Sequence, residues 1–162
     1  TTTAQINNGL LHFLDQRTQW EILCANPDLI PSAVEEMMRF DPSVNTWRRK
    51  VRQATTIAGI DIPEGANLLL MLNSANRDET IFPEPDIVDV TRDNLNEHLA
   101  FGYGIHYCVG APLARVEMVA TFEALTQRMP SLRLGDNPEL AYVPNISFRG
   151  PTSLNLEWNE DR

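Results

Sequence analysis

Positive charge is scarce in this chain. Thirteen lysines and arginines stand against 22 aspartates and glutamates, for a formal charge of -9, and such a surface repels phosphate backbones and anionic lipid. Nucleic acid and membrane are therefore not expected partners. Cysteine is scarcer still: Cys24 and Cys108 are the only two, too few for the disulfide framework of a small secreted scaffold. No apolar run is long enough to span a bilayer, and the opening residues do not read as a charged-then-apolar leader. The expected location is the cytoplasm. Thr1-Thr2-Thr3-Ala4 also lack an initiator methionine, which raises the expectation that sequence upstream is missing.

What is present suits a folded domain. The 162 residues are 43% hydrophobic and 22% charged, close to the globular average. Ile6, Leu10, Phe13 and Leu14 recur at helical spacing and predict an amphipathic helix over about 3–14. A second helical stretch runs from Thr18 to Cys24. Asn26-Pro27-Asp28 breaks the chain, and Pro31 can open a further helix to Phe40. Between Val44 and Leu72, short β-prone runs at 47–51, 55–58 and 68–72 alternate with the turn signals Ala58-Gly59 and Pro63-Glu64-Gly65, which predicts a small antiparallel sheet. Residues 76–98 are polar, contain Pro83 and Pro85, and read as an irregular meander over a core. Ala111 to Met129 is the longest predicted helix, and Ser153 to Trp158 alternates like a strand.

Three glycines, Gly102, Gly104 and Gly110, surround Cys108 at the entrance of that long helix. Glycine tolerates φ > 0 and carries no Cβ, so the backbone can approach a flat partner closely. A thiol just before a helix also gains from the N-terminal dipole, which favours thiolate. Other readings of the same residues stay open at this point. Cys108 can be an inert buried residue. A phosphate-cradling loop lacks the G-x-G-x-x-G spacing, and a zinc site from His98, His106 and Cys108 lacks the paired C-x-x-C spacing.

Phe101-x-x-Gly104-x-His106-x-Cys108-x-Gly110, continuing through Leu113-Ala114-Arg115, resembles the haem-binding signature of the cytochrome P450 family in its bacterial form. Five fixed positions in a ten-residue window make the match specific. The resemblance implies a fold that is mainly α with a small antiparallel β part, namely the C-terminal part of the P450 fold. Residues 1–162 then form a single partial domain, with the N-terminal portion absent. It implies haem b as cofactor, with Cys108 as the thiolate ligand of the iron. Phe101 is expected to pack beside the sulfur, Gly104 and Gly110 to let the loop approach the porphyrin, and His106 to hydrogen-bond a propionate.

Glu36-Met37-Met38-Arg39 matches the E-x-x-R pair of that family. Read from the residues alone, Val34, Met37 and Met38 form the apolar stripe, and Glu36 and Arg39 lie opposite it as a solvated ion pair. The resemblance implies instead that the pair is buried beneath the meander and locks the cysteine loop. The third partner usual in the family falls on Ile87, which has no donor, so backbone carbonyls or Arg92 are expected to complete the lock. Counting from Arg39 assigns Arg48 as the propionate-binding arginine through its bidentate fork, leaving Arg49 and Lys50 as a solvated basic stretch. Val44 to Trp47 and Ile146 to Phe148 resemble segments that line the substrate pocket. Thr1 to Thr3 fall at the end of the A/G-G-x-D/E-T-T motif, whose acid is absent. Thr1 is then the candidate catalytic residue, an alcohol that helps deliver protons to dioxygen.

The implied activity is haem-thiolate monooxygenation of a small apolar molecule, with electrons from NAD(P)H passing through a ferredoxin- or flavodoxin-type donor. A reading from another class treats the chain as a non-catalytic haem-binding or structural fragment that needs a partner or swapped chain to cover the haem. A zinc or redox-thiol domain is the third.

Overall fold

The computed structural model describes residues 1–136 and 140–159. Its core is built from helices α1 (Thr2–Asp15), α2 (Arg17–Ala25), α3 (Ile30–Phe40) and α5 (Ala111–Arg128), with a short α4 (Leu72–Ala75) between. The predicted periodicity of α1 buries Leu10, Phe13 and Leu14, which meet Val34, Met37 and Met38 of α3 and Met118 and Phe122 of α5 in one apolar cluster. Pro31 sits in the first turn of α3, where its missing N–H costs no hydrogen bond.

Gly9 sets how closely α1 approaches α5, because a Cβ added there meets Cζ of the buried Phe122 at 2.8 Å. Gly9→Val is expected to destabilise the fold by about 2 kcal/mol through overpacking, checked by urea unfolding.

The β part differs from the single sheet predicted. Strands β1 (Thr46–Lys50), β2 (Thr55–Ile57), β3 (Ile60–Ile62), β4 (Asn67–Met71), β5 (Arg133–Leu134) and β6 (Leu156–Glu157) pair as three separate antiparallel ribbons, β1 with β4, β2 with β3 and β5 with β6. The predicted Ala58-Gly59 turn closes β2 onto β3, both residues having positive φ (48° and 79°), the backbone form that matches strand twist in a two-residue hairpin. The tail strand expected over 153–158 is confined to Leu156–Glu157, where it pairs with Arg133–Leu134.

Earlier in the tail, Asn45 donates its backbone N–H to Ser147, and Val44 bridges Phe148. That return lays residues 146–148 beside the start of β1. The meander is irregular as expected, with one 3-10 turn at Leu95–Glu97. Among the described residues, no helix is long and apolar enough to cross a membrane.

Candidate functional site

Cys108 stands at the end of an exposed loop, two residues before Gly110 begins the capping of α5. The loop closes on itself: the Cys108 N–H donates to the Phe101 carbonyl at 2.9 Å, that of Tyr107 to Gly104 at 3.0 Å, and that of Gly102 to Leu99 at 2.8 Å. Gly102 and Gly104 make the path possible, with φ of 73° and 66°, a region where a side chain is strained. Gly110 does not share their backbone form. Its φ is -83°, and an added Cβ there meets Cys108 Sγ at 3.8 Å, an ordinary contact. The second left-handed glycine is Gly102, which lines the cavity described next.

A cavity of about 810 Å³ opens over Cys108 and is bordered by Phe101, His106, Trp47, Leu70 and Phe148 among others. Trp47 and Phe148 meet edge to face at 5.8 Å, so the β1 start and the tail return give it an aromatic wall. Val44 joins them, whereas Thr46 turns inward and its hydroxyl donates to the Ile146 carbonyl at 3.0 Å. Thr1 also borders the cavity, and its side chain makes no capping hydrogen bond to α1.

The structure brings Arg49 rather than Arg48 to this cavity. Side chains alternate across a strand; Arg49 therefore shares the cavity side of β1 with Trp47, and Arg48, paired with Leu69, lies on the other side. Counting residues from Arg39 cannot fix that phase, because one residue of slip reverses every side chain.

Beneath the loop lie two braces rooted in neighbouring residues of α3. In the first, Glu36 and Arg39 are fully buried, which overturns the reading of them as a solvated pair. Arg39 donates to Glu36 through Nε (2.7 Å) and Nη2 (2.8 Å), and its remaining N–H groups reach the carbonyls of Asn76 (3.1 Å), Pro85 (2.9 Å) and Ile87 (3.2 Å). Glu36 in turn accepts the Asp89 N–H at 2.8 Å and has Arg92 Nε at 3.6 Å. The missing third side chain at Ile87 is thus replaced by backbone carbonyls and by Arg92 together.

The second brace was not foreseen. Glu35 accepts a bidentate pair from Arg115 at 2.6 and 2.9 Å, and lies 2.9 Å from His98 Nε2. The Arg115 guanidinium covers the Phe101 ring at 4.6 Å and donates to Tyr107 Oη at 3.1 Å. Glu35 and Arg115 stand 80 positions apart, and no local pattern announces the pair. With His98 engaged by Glu35, the zinc reading loses a ligand; among the described residues no group of three or more His, Cys, Asp or Glu is placed to hold a metal.

Burial raises the Glu35 carboxyl, but the hydrogen bonds and charges of Arg115 and His98 outweigh it and hold the group at about 2. A folded-state value below the unfolded one means stability present above the ordinary carboxyl range and lost as pH falls toward the folded value. The stability advantage of the wild type over Glu35→Gln is therefore expected to be full above about pH 5, and to disappear between there and pH 2, in urea titrations at stepped pH.

A lone thiol, a guanidinium, an imidazole and an otherwise apolar aromatic wall make a donor set that fits a flat apolar macrocycle with carboxylate edges and a metal that takes a soft axial ligand. Such a donor set is one that a haem-thiolate protein would use. The sequence pattern of the family described as Cytochrome P450 matches residues 16–133. A steroid C26-monooxygenase of Mycolicibacterium smegmatis is 38% identical over 154 residues, 95% of this chain and 38% of its own length. A biotin biosynthesis cytochrome P450 of Bacillus subtilis is 42% identical over the same shares. The crystal structure of an Acinetobacter radioresistens P450 heme domain superposes with a TM-score of 0.96 at 43% identity, covering 98% of this chain and 38% of that one. The chain belongs to the cytochrome P450 family, whose cofactor is haem b. It spans about two fifths of the length of these relatives.

Proposed function

We propose that the chain is the C-terminal, ligand-bearing portion of a haem-thiolate monooxygenase acting on a small, largely apolar molecule. The observation that carries this reading is the placement of Cys108 at the floor of an aromatic-walled cavity, at the end of a glycine loop held from below by α3. Haem, when bound, supplies dioxygen activation: one oxygen atom enters a C–H bond of the substrate, and the other leaves as water with two electrons and two protons. The electrons come from NAD(P)H through a ferredoxin- or flavodoxin-type donor.

The protein's own part is to hold and exclude. Cys108 would hold the haem iron through its sulfur, and Arg49 and His106 would hold the propionates, Arg49 with the flat fork that suits a carboxylate. Phe101, Trp47, Leu70 and Phe148 keep water from the reacting centre, which strengthens every charge interaction there. Thr1 offers a hydroxyl at the cavity edge that makes no capping bond and would be placed to relay protons there. Leu113 and Val116 expose apolar side chains on α5, and Val109 beside the cysteine is fully exposed. Such exposed apolar surface supports a second reading, a non-catalytic haem-binding or structural fragment that needs a partner or swapped chain to complete the site.

The test is the absorption spectrum of the haem-loaded, reduced protein under carbon monoxide, followed by oxygenation of test substrates with a surrogate redox system or peroxide. A strongly red-shifted Soret band with product supports the monooxygenase, and the band without product supports the second reading. Absence of the band in haem-loaded protein removes the monooxygenase reading.

A further inference from the structure

Nearly all of the Cys108 loop is unsupported by side chains. Tyr103, Ile105 and Val109 are exposed at 85%, 97% and 100%, and an added Cβ at Gly104 meets nothing within 4 Å. Among the described residues, the one side-chain hydrogen bond made by residues 101–110 is Tyr107 Oη accepting from Arg115. Arg115 also covers the ring of Phe101, so a single guanidinium touches the first residue of the loop and the residue just before Cys108.

Arg115 is itself fixed by both oxygens of Glu35, a bidentate geometry that constrains orientation as well as distance. The same carboxylate faces His98 Nε2, and His98 Nδ1 accepts the Ala100 N–H at 3.2 Å. That acceptor role at Nδ1 places the ring proton on Nε2, where it donates to Glu35. The Leu99 N–H donates to Asn76 Oδ1 at 2.7 Å, and the Asn76 carbonyl accepts from Arg39, so the entry to the loop is pinned from both braces. Glu36 serves the meander, and Glu35, the adjacent residue, serves the loop.

We infer that Glu35, Arg115 and His98 form a positioning brace that fixes the Cys108 loop against α3, separately from the Glu36–Arg39 lock. That the positioned atom is a haem-ligating sulfur rests on the function proposed above. The brace itself does not. Arg115 is a positioning residue here: it acts on the sulfur through Tyr107 and Phe101.

Two measurements separate these claims. In the full chain without haem, amide hydrogen exchange is compared between wild type and Arg115→Lys, which keeps the charge but cannot make the fork or lie flat on the ring. The Asp89 amide, bonded to Glu36, serves as internal reference. The Tyr107 and Cys108 amides are expected to exchange about tenfold faster in Arg115→Lys, equivalent to about 1.4 kcal/mol, with Asp89 unchanged. Tyr107→Phe, which removes one hydroxyl and leaves Arg115 and Glu35 paired, is expected to give a smaller acceleration of about threefold. Unchanged loop amides, or equal acceleration at Asp89, would overturn the brace.

In haem-loaded protein, the same variants are expected to lower the share of the thiolate-type carbon monoxide band at a temperature where circular dichroism shows full folding. Faster loop exchange with an unaltered share would overturn the positioning of the sulfur. A wild type without that band overturns the haem reading, and the exchange measurement then decides the brace alone.

Discussion

Cys108→Ser is expected to abolish the red-shifted carbon monoxide band and to lower oxygenation by at least 10³-fold, or about 4 kcal/mol in barrier height, while leaving the fold intact. The large effect has a chemical cause. A thiolate is a soft, polarisable donor that pushes electron density onto iron, whereas a serine hydroxyl stays protonated near neutral pH and is a poor ligand for it. The small effect on folding has a structural cause. Cys108 is exposed, its backbone N–H to Phe101 is available to any residue, and the substitution removes no packed atom, so stability is expected to stay within about 0.5 kcal/mol. The measurements are haem retention through gel filtration, the carbon monoxide spectrum and the urea midpoint. A serine variant that retained the thiolate band, or that unfolded with the loss of activity, would remove Cys108 from the role assigned to it.

Legibility in the sequence followed the range of the interactions involved. The cysteine loop was readable because its determinants are local: two left-handed glycines, a self-closing backbone and the start of α5 all fall within residues 101–111. Helix α1 was readable from its period and α3 from the placement of Pro31, whereas α5 was readable only as a run of helix-forming residues, since Leu113 and Val116 among its apolar positions are exposed and Phe122 is buried. The facing of Arg48 and Arg49 was not, since it depends on how β1 pairs with β4 and a strand carries no internal marker of which side is which. Glu36 and Arg39 misled the helical-wheel argument for another reason. The meander covers the polar side of α3 as well, so two charged residues opposite an apolar stripe are buried against backbone carbonyls instead of facing water. Glu35 and Arg115 were invisible because each belongs to a different helix and only the tertiary fold brings the pair together.

Arg39→Ala is expected to be the single substitution most damaging to stability, destabilising the chain by about 3–5 kcal/mol. The mean worth of an ion pair would not predict this, since replacing both partners of a buried pair by apolar groups is often close to neutral. The cost arises from what is left behind. Without Arg39, the fully buried Glu36 keeps only the Asp89 N–H at 2.8 Å and the longer 3.6 Å approach of Arg92. The carbonyls of Asn76 and Pro85 lose the side-chain donor that the guanidinium supplied, while that of Ile87 keeps Arg92 at 3.2 Å, and each buried polar group without a partner costs about 1–3 kcal/mol. Arg39→Lys is expected to recover less than half of the loss. One ammonium with three N–H groups on a flexible stem cannot donate to both oxygens of a carboxylate and to three separate carbonyls. Urea unfolding gives the magnitudes, and limited proteolysis gives the location, with cleavage expected to rise within residues 76–98 before it rises in α1 or α5. A lysine variant within about 1 kcal/mol of wild type would mean that charge alone, rather than the planar fork, holds the meander over α3. Cleavage beginning in the helices would mean that the pair supports the core rather than the segment beneath the cysteine loop.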